Sequence, residues 1–340
     1  MDLQKHYSLR SCNSFGIDVY AGYFSIFRSV PELRELLSWT RSQNKRLLIL
    51  GGGSNILFTS DFEGLVIKNE IRGITETGED ENFVFVKAGA GESWQSLVEY
   101  AVSRNFGGIE NLSLIPGTVG ASPIQNIGAY GVELKDTFYQ LEAIDISTGR
   151  LEIFHKENMD FGYRDSIFKR GLKNKMVISN VSLRLSKNPL INTSYGAIAE
   201  QLTQMQMQME TPGIREVSDA VISIRKSKLP DPAVIGNAGS FFKNPEVAPD
   251  QFNLLKISYP SIPGYPGSDN KIKLAAGWMI EQCGWKGYRN GDAGCHTEQA
   301  LVLVNYGNAT GEEIYALSAR ILESVQERFG ILLEREVNML

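Results

Sequence analysis

Apolar residues along this chain fall into short strand-like runs separated by a few helical stripes. Leu33, Leu36 and Leu37 stand three and four residues apart and predict a helix over 31–43, with a strand to follow over 46–50. That small β/α unit ends in a glycine cluster. Two more apolar runs, 56–58 and 65–67, are bounded by turn residues such as Asp61 and Gly64 and predict buried strands. A first domain over 1–70 is the expectation.

Beyond it, the run 83–86 reads as a strand, and Ser93 opens a helix carrying Leu97, Val98, Ala101 and Val102 on one face. Further strands over 141–146 and 176–185 make a β-rich second domain, 71–226. The repetitive Met/Gln stretch 201–210 reads as a polar linker or helix edge with no assigned function. A helix over 214–226 leads into Leu229-Pro230-Asp231-Pro232, where two prolines interrupt any regular element and mark a boundary. A third, α/β domain spans 227–330 and ends in a helix over 311–329, and a closing strand over 331–340 returns to the second domain. A chain of 340 residues exceeds what one ordinary core organises, which agrees with this division.

Composition narrows the function. The formal net charge is −5 with both signs interleaved, so there is no overall pull toward nucleic acid or an anionic membrane. The amino terminus, Met1-Asp2-Leu3-Gln4-Lys5-His6, lacks the apolar stretch of a signal peptide, and no later run approaches the roughly 20 apolar residues that span a bilayer. A soluble, cytoplasmic monomer is expected. Cys12, Cys283 and Cys295 form no C-x-x-C pair, and with three histidines they supply little material for a metal site. Buried, inert thiols and no metal are the expectation.

Two glycine-rich segments are the first candidates for chemistry. Gly51, Gly52, Gly53, Ser54 and Asn55 lie between apolar strands, where missing Cβ atoms let backbone N–H groups converge on phosphate oxygens. A tight strand-to-strand turn explains a glycine triplet equally well. Neither a P-loop nor a dinucleotide fingerprint is present. The uncharged segment 114–131 contains Pro116, Gly117, Gly120, Ala121, Ser122, Ile124, Gln125, Asn126, Gly128, Ala129, Tyr130 and Gly131, small enough in its run to let backbone approach a large planar ligand. So long a loop in a compact domain is uncommon unless functional. Arg164 beside Asp165 has an ordinary reading as a surface ion pair, Ser240 as part of a buried turn, and Glu336 as part of a charged tail.

Taken in order, the segments 13–16, 51–55, 116–131, 163–166, 225–231, 238–245, 275–281 and 299–305 resemble those of the UDP-N-acetylenolpyruvoylglucosamine reductases over nearly the whole chain. That resemblance implies an α+β protein: a two-subdomain FAD-binding module of the vanillyl-alcohol-oxidase type followed by a C-terminal α/β substrate domain. It implies that 51–55 and 116–131 hold FAD and that NADPH is the hydride donor. It also implies reduction of UDP-N-acetylglucosamine enolpyruvate to UDP-N-acetylmuramate for the cell wall, with no nucleic-acid or membrane partner. Arg164 would polarise the developing enolate, since a guanidinium stays charged and grips a carboxylate in two places. Ser240 would deliver the proton to the α-carbon, and Glu336, protonated or hydrogen-bonded, would stabilise the enol. Tyr195 matches a lid tyrosine of the family's longer branch, and Lys228, Asn244 and Gln299 match substrate contacts. Asn338 departs from the pattern, because many longer-branch relatives carry a basic residue there.

Two other readings remain open on sequence alone. One is an oxidase on the same scaffold with covalently bound FAD. His6, His155, His296 and all three cysteines lie outside the glycine-rich segments, which favours noncovalent FAD. The other is a nucleotide-sugar sensor without turnover, against which the set Arg164, Ser240 and Glu336 argues.

Overall fold

The stripe formed by Leu33, Leu36, Leu37 and Thr40 is the buried face of the helix Val30–Ser42. Ser29 caps it by accepting from the Glu32 amide, and Pro31 sits in the first turn, where a missing N–H costs nothing. The structure is a computed structural model that describes residues 1–205 and 212–340. Its chain divides into two compact units, one of Met1–Tyr7, Ala21–Gly52 and Glu63–Ser227, the other of Ser8–Tyr20, Gly53–Phe62 and Lys228–Leu340.

The first unit contains two sheets. A four-stranded sheet runs in the order Gln4–Ser8, Tyr20–Phe27, Phe62–Asn69, Arg46–Leu50, and its last two strands pair in parallel. A five-stranded antiparallel sheet runs Leu151–His155, Phe138–Asp145, Met176–Ser186, Phe83–Gly89, Ile74–Glu79. Leu33, Leu36 and Leu37 pack with Leu65 and Ile67 and also with Ile144 and Val177, so one apolar cluster joins the two sheets.

A second cluster sets the position of the uncharged loop. The helix Trp94–Ser103, capped by Ser93, buries Trp94, Leu97, Val98 and Ala101 against the five-stranded sheet. Leu112, Val119, Ile127 and Leu134 enter the same core. Each such fully buried side chain contributes on the order of 1.5–3 kcal/mol, which nails the loop to the sheet at intervals. Backbone bonds from Trp94 to Gly117, Val119 to Glu92 and Gly120 to Ala90 do the rest.

The second unit is built on a four-stranded antiparallel sheet, Gly236–Ser240, Val302–Asn305, Ala293–Cys295, Arg289–Asn290, and a three-stranded one, Glu246–Val247, Ile272–Leu274, Gly264–Pro266. The helix Gly311–Phe329 covers the first of these sheets with Ile314, Leu317, Ile321, Val325 and Phe329. Thr310 and Glu313 form a capping box at its start, and Gly330 ends it at φ +67°.

The closing strand is Asn338–Met339, shorter than 331–340, and it pairs in parallel with Ile56–Leu57 rather than joining a sheet of residues 71–226. The reason lies just upstream, where 334–336 is held along 241–243 and directs the tail to the 56–57 strand. The Met/Gln stretch contributes its first residues to the helix Gly196–Gln204, and its portion 206–210 lies outside the described residues. Among the described residues no helix is long and apolar enough to cross a membrane.

Candidate functional site

Within the first unit the two glycine-rich segments meet. Strand Arg46–Leu50 ends at Gly51, where a Cβ would stand 2.6 Å from Thr118 Oγ1, and at Gly52, where it would stand 3.2 Å from Gly117 Cα. Gly120 is equally tight, with a Cβ 2.6 Å from that of Ala90. Thr118, Gly117 and Ala90 occupy the space a side chain would need, so the two segments pack directly on each other. Such a bare-backbone cradle suits a phosphate-bearing cofactor.

Side chains in the loop divide by task. Asn126, buried, donates to Glu133 Oε2 and the Gly162 carbonyl and accepts from the Lys135 amide. Ser122 donates to the Val119 carbonyl, and Ser166 to that of Ile124. These groups shape the loop. Pro116 and Ile124 are exposed, and Ala121 and Gln125 half-buried.

Arg164 sits at φ +53° in a tight turn closed by reciprocal bonds between Gly162 and Asp165. Asp165, its neighbour in sequence, forms an ion pair with Arg170. The Arg164 guanidinium donates to the Gly128 carbonyl at 2.7 Å. Near it lies Arg225, a residue that the sequence reading placed in a matching segment without giving it a role. Its Nε donates to the Leu114 carbonyl at 3.1 Å, and it hydrogen-bonds the Tyr130 phenol. Burial pulls the Arg225 pKa down; Tyr130 opposes that, and the nearby Arg164 charge adds to it. Burial raises the Tyr130 pKa, so the phenol stays protonated. The Tyr195 ring meets Tyr130 edge to face at 5.3 Å between centroids. Among the described residues Arg225 has a carbonyl and a phenol as partners and Arg164 as a neighbouring charge, so this neighbourhood favours an anion.

In the second unit Gly53, at φ +63°, lies so close to the Cys12–Asn13 backbone that a Cβ would stand 2.0 Å from the Cys12 carbonyl oxygen. Ser54 and Asn55 follow, half-buried, and the Asn338 amide and side chain both donate to the Asn55 carbonyl. Asn338 thus clamps the glycine turn. Ser240 owes its place to a bulge. The pairing of Gly236–Ser240 with Val302–Asn305 shifts between Asn237 and Ser240, with Gly239 at φ +69° donating to Asn237 Oδ1. Phe241 and Phe242, both buried, lock the next two positions.

Glu336 is joined to the same element. Its amide donates to the Phe241 carbonyl at 2.8 Å, and the Lys243 amide donates to the Glu334 carbonyl at 2.9 Å. Alternation along this short ladder sends Arg335 to Ser318 and the Tyr315 ring, on the opposite side from Glu334 and Glu336. The structure therefore brings Ser240 and Glu336 together, and Arg164 is held in the first unit. Asn244 accepts from the Ala276 amide, and Gln299 Oε1 would lie 3.1 Å from a Cβ on Gly277, so both converge on the start of the helix Ala276–Gln282. Lys228 is exposed at the end of Ile214–Lys228.

These units carry the composition of a flavin-dependent oxidoreductase: a family profile described as an FAD-binding domain matches residues 22–154. A second profile, the C-terminal domain of UDP-N-acetylenolpyruvoylglucosamine reductase, matches residues 231–340. Relatives of that name are 52% identical over 340 residues in Amoebophilus asiaticus and 47% over 341 in Flavobacterium johnsoniae, each covering 100% of both chains. A solved structure of the Thermus caldophilus enzyme shares the fold at a TM-score of 0.69 and 24% identity, covering 100% of this chain and 99% of that one. The chain belongs to the UDP-N-acetylenolpyruvoylglucosamine reductase family, and it is an FAD-dependent oxidoreductase of peptidoglycan precursor synthesis.

Proposed function

We propose that Arg164, Ser240 and Glu336 carry the reduction of UDP-N-acetylglucosamine enolpyruvate to UDP-N-acetylmuramate, with NADPH as the donor. FAD, held noncovalently by the backbone of 51–55 and 116–131, supplies the redox chemistry when bound. Hydride addition to the enolpyruvyl methylene carbon builds negative charge on the α-carbon and its carboxylate. Arg164 meets that charge with a fixed guanidinium, already oriented by the Gly128 carbonyl. Arg225 adds positive charge in the same neighbourhood. Ser240 then delivers a proton to the α-carbon, and Glu336 holds the enol oxygen by a hydrogen bond.

The observation that carries this reading is the bulge at Gly239, which sets Ser240 beside the segment bearing Glu336. A serine is a weak acid, so it protonates a carbanion only when held at close range, and a locked backbone supplies that hold. Tyr195, Lys228, Asn244 and Gln299 bind the nucleotide diphosphate and sugar in this account. We place the enzyme in the cytoplasm, where NADPH is available, as a monomer.

The test is NADPH oxidation by the purified protein with and without the enolpyruvyl substrate. Oxidation that rises with substrate supports the proposal. Bound FAD with no substrate-dependent oxidation leaves a sensor in its place. Acid precipitation checks the cofactor linkage: yellow colour goes to the supernatant if FAD is noncovalent and stays with the pellet if it is not.

A further inference from the structure

Asn111 is 1% exposed in the short turn Glu110–Leu112, and it plays no part in the chemistry described above. Its Nδ2 donates to two carbonyls at once, that of Tyr130 at 3.1 Å and that of Asn192 at 3.0 Å. Its Oδ1 is buried and has no hydrogen-bond partner among the described residues. A buried acceptor left unpaired is costly, so the carboxamide is retained for its two donors. Those donors face two segments that are 62 residues apart in sequence, Tyr130 and Asn192.

The platform beneath Asn111 is rigid. Trp94 Nε1 donates to the Leu112 carbonyl, Glu110 accepts from the Gly108 amide, and Ser113 bridges the Glu110 carbonyl and the Ser218 hydroxyl. From it hangs the segment 192–195. Asn192 opens a short turn by accepting from the Ser194 amide and hydroxyl, and its own Nδ2 reaches back to the Gly131 carbonyl at 3.4 Å. Tyr195 follows, 48% exposed, with its ring against that of Tyr130. Two carboxamides and one aromatic edge therefore fasten the loop 192–195 to the end of the cofactor segment.

We propose that Asn111, assisted by Asn192, is a positioning residue that latches the Tyr195 loop to the Tyr130–Gly131 turn, so that Tyr195 waits docked for substrate. This rests on the substrate role proposed for Tyr195. A docked loop loses less conformational freedom on binding, and that saving appears as affinity for the nucleotide substrate. Tyr130 is the shared element, since its carbonyl takes the Asn111 donor and its phenol meets Arg225.

The experiment compares wild-type holoenzyme with Asn111→Ala, Tyr195→Ala and the double variant, by backbone hydrogen exchange over 193–198 and by steady-state kinetics. Asn111→Ala is expected to speed exchange in that loop by about tenfold and to raise KM for the enolpyruvyl substrate by a similar factor, with a much smaller change in kcat. In the Tyr195→Ala background it should raise KM no further. Unchanged exchange, or a KM effect that simply adds to that of Tyr195→Ala, overturns the latch. Should Asn111→Ala lose its flavin, Asn192→Ala on the outer side of the same contact is expected to show the same two effects, and their absence overturns the proposal equally. A Tyr195→Ala variant with wild-type KM overturns the substrate role of Tyr195, which is read without any exchange measurement, so the two failures are distinguishable.

Discussion

A guanidinium half-buried with no carboxylate paired to it among the described residues is a poor choice for stability and a good one for holding a ligand. Among the described residues Arg225 meets a carbonyl and a phenol, and the Arg164 cation lies near it. Replacing such a charge with an apolar side chain of similar length is commonly neutral or stabilising. Arg225→Met is therefore expected to leave the Tm of flavin-free protein equal or higher, while the rise in Tm produced by FAD and UDP-substrate shrinks. A lowered flavin-free Tm with the ligand-induced rise intact would show that Arg225 is structural. At this scale the sequence was least informative. Arg164 stood beside Asp165 and looked like its partner, and nothing local announces the turn at φ +53° or the bond to the Gly128 carbonyl. Asn111 gave no signal at all, because its value lies in two acceptors contributed by distant loops.

Among the elements, the Gly239 bulge is the one on which the proposed chemistry depends. No atom lies within 4 Å of a Cβ built there, so space is not the constraint; the positive φ is. An alanine in that conformation costs about 1–2 kcal/mol, whereas asparagine visits it readily. Gly239→Ala should lower Tm modestly and slow substrate reduction more than flavin reduction, and Gly239→Asn should recover much of both. Equal behaviour of the two variants in stability and turnover assays would mean that backbone conformation does not place Ser240. Legibility of the elements followed length. The helix Gly311–Phe329 and the strand Arg46–Leu50 were readable to the residue, because each shows enough of its period. Strands of two or three residues, such as Arg289–Asn290 and Ala293–Cys295, are too short to display alternation, and they were missed. Tyr20–Phe27 was missed for another reason: it buries residues on both faces, which blurs the period of two.

Across the whole molecule, the limit on reading the sequence is separation along the chain. The pairing of Asn338–Met339 with Ile56–Leu57 and the bond from the Thr59 amide to the Leu340 carbonyl link residues some 280 positions apart, and no local pattern announces them. That pairing explains why the tail did not go where its own strand-like sequence suggested. The family, by contrast, was legible from the order of its segments, since several short matches in register are specific where each alone is not. The FAD-binding and C-terminal profiles cover 22–154 and 231–340, in agreement with that reading.

The central claim is that Ser240 supplies the proton in the second half of the reaction. Rapid mixing of Ser240→Ala with NADPH, and separately of the reduced variant with the enolpyruvyl substrate, tests it most directly by following flavin absorbance. Flavin reduction should proceed at close to the wild-type rate, while reoxidation by substrate should fall by about 10²–10⁴-fold, the range expected for loss of a general acid. Equal slowing of both halves, or reoxidation at the wild-type rate, would contradict the assignment.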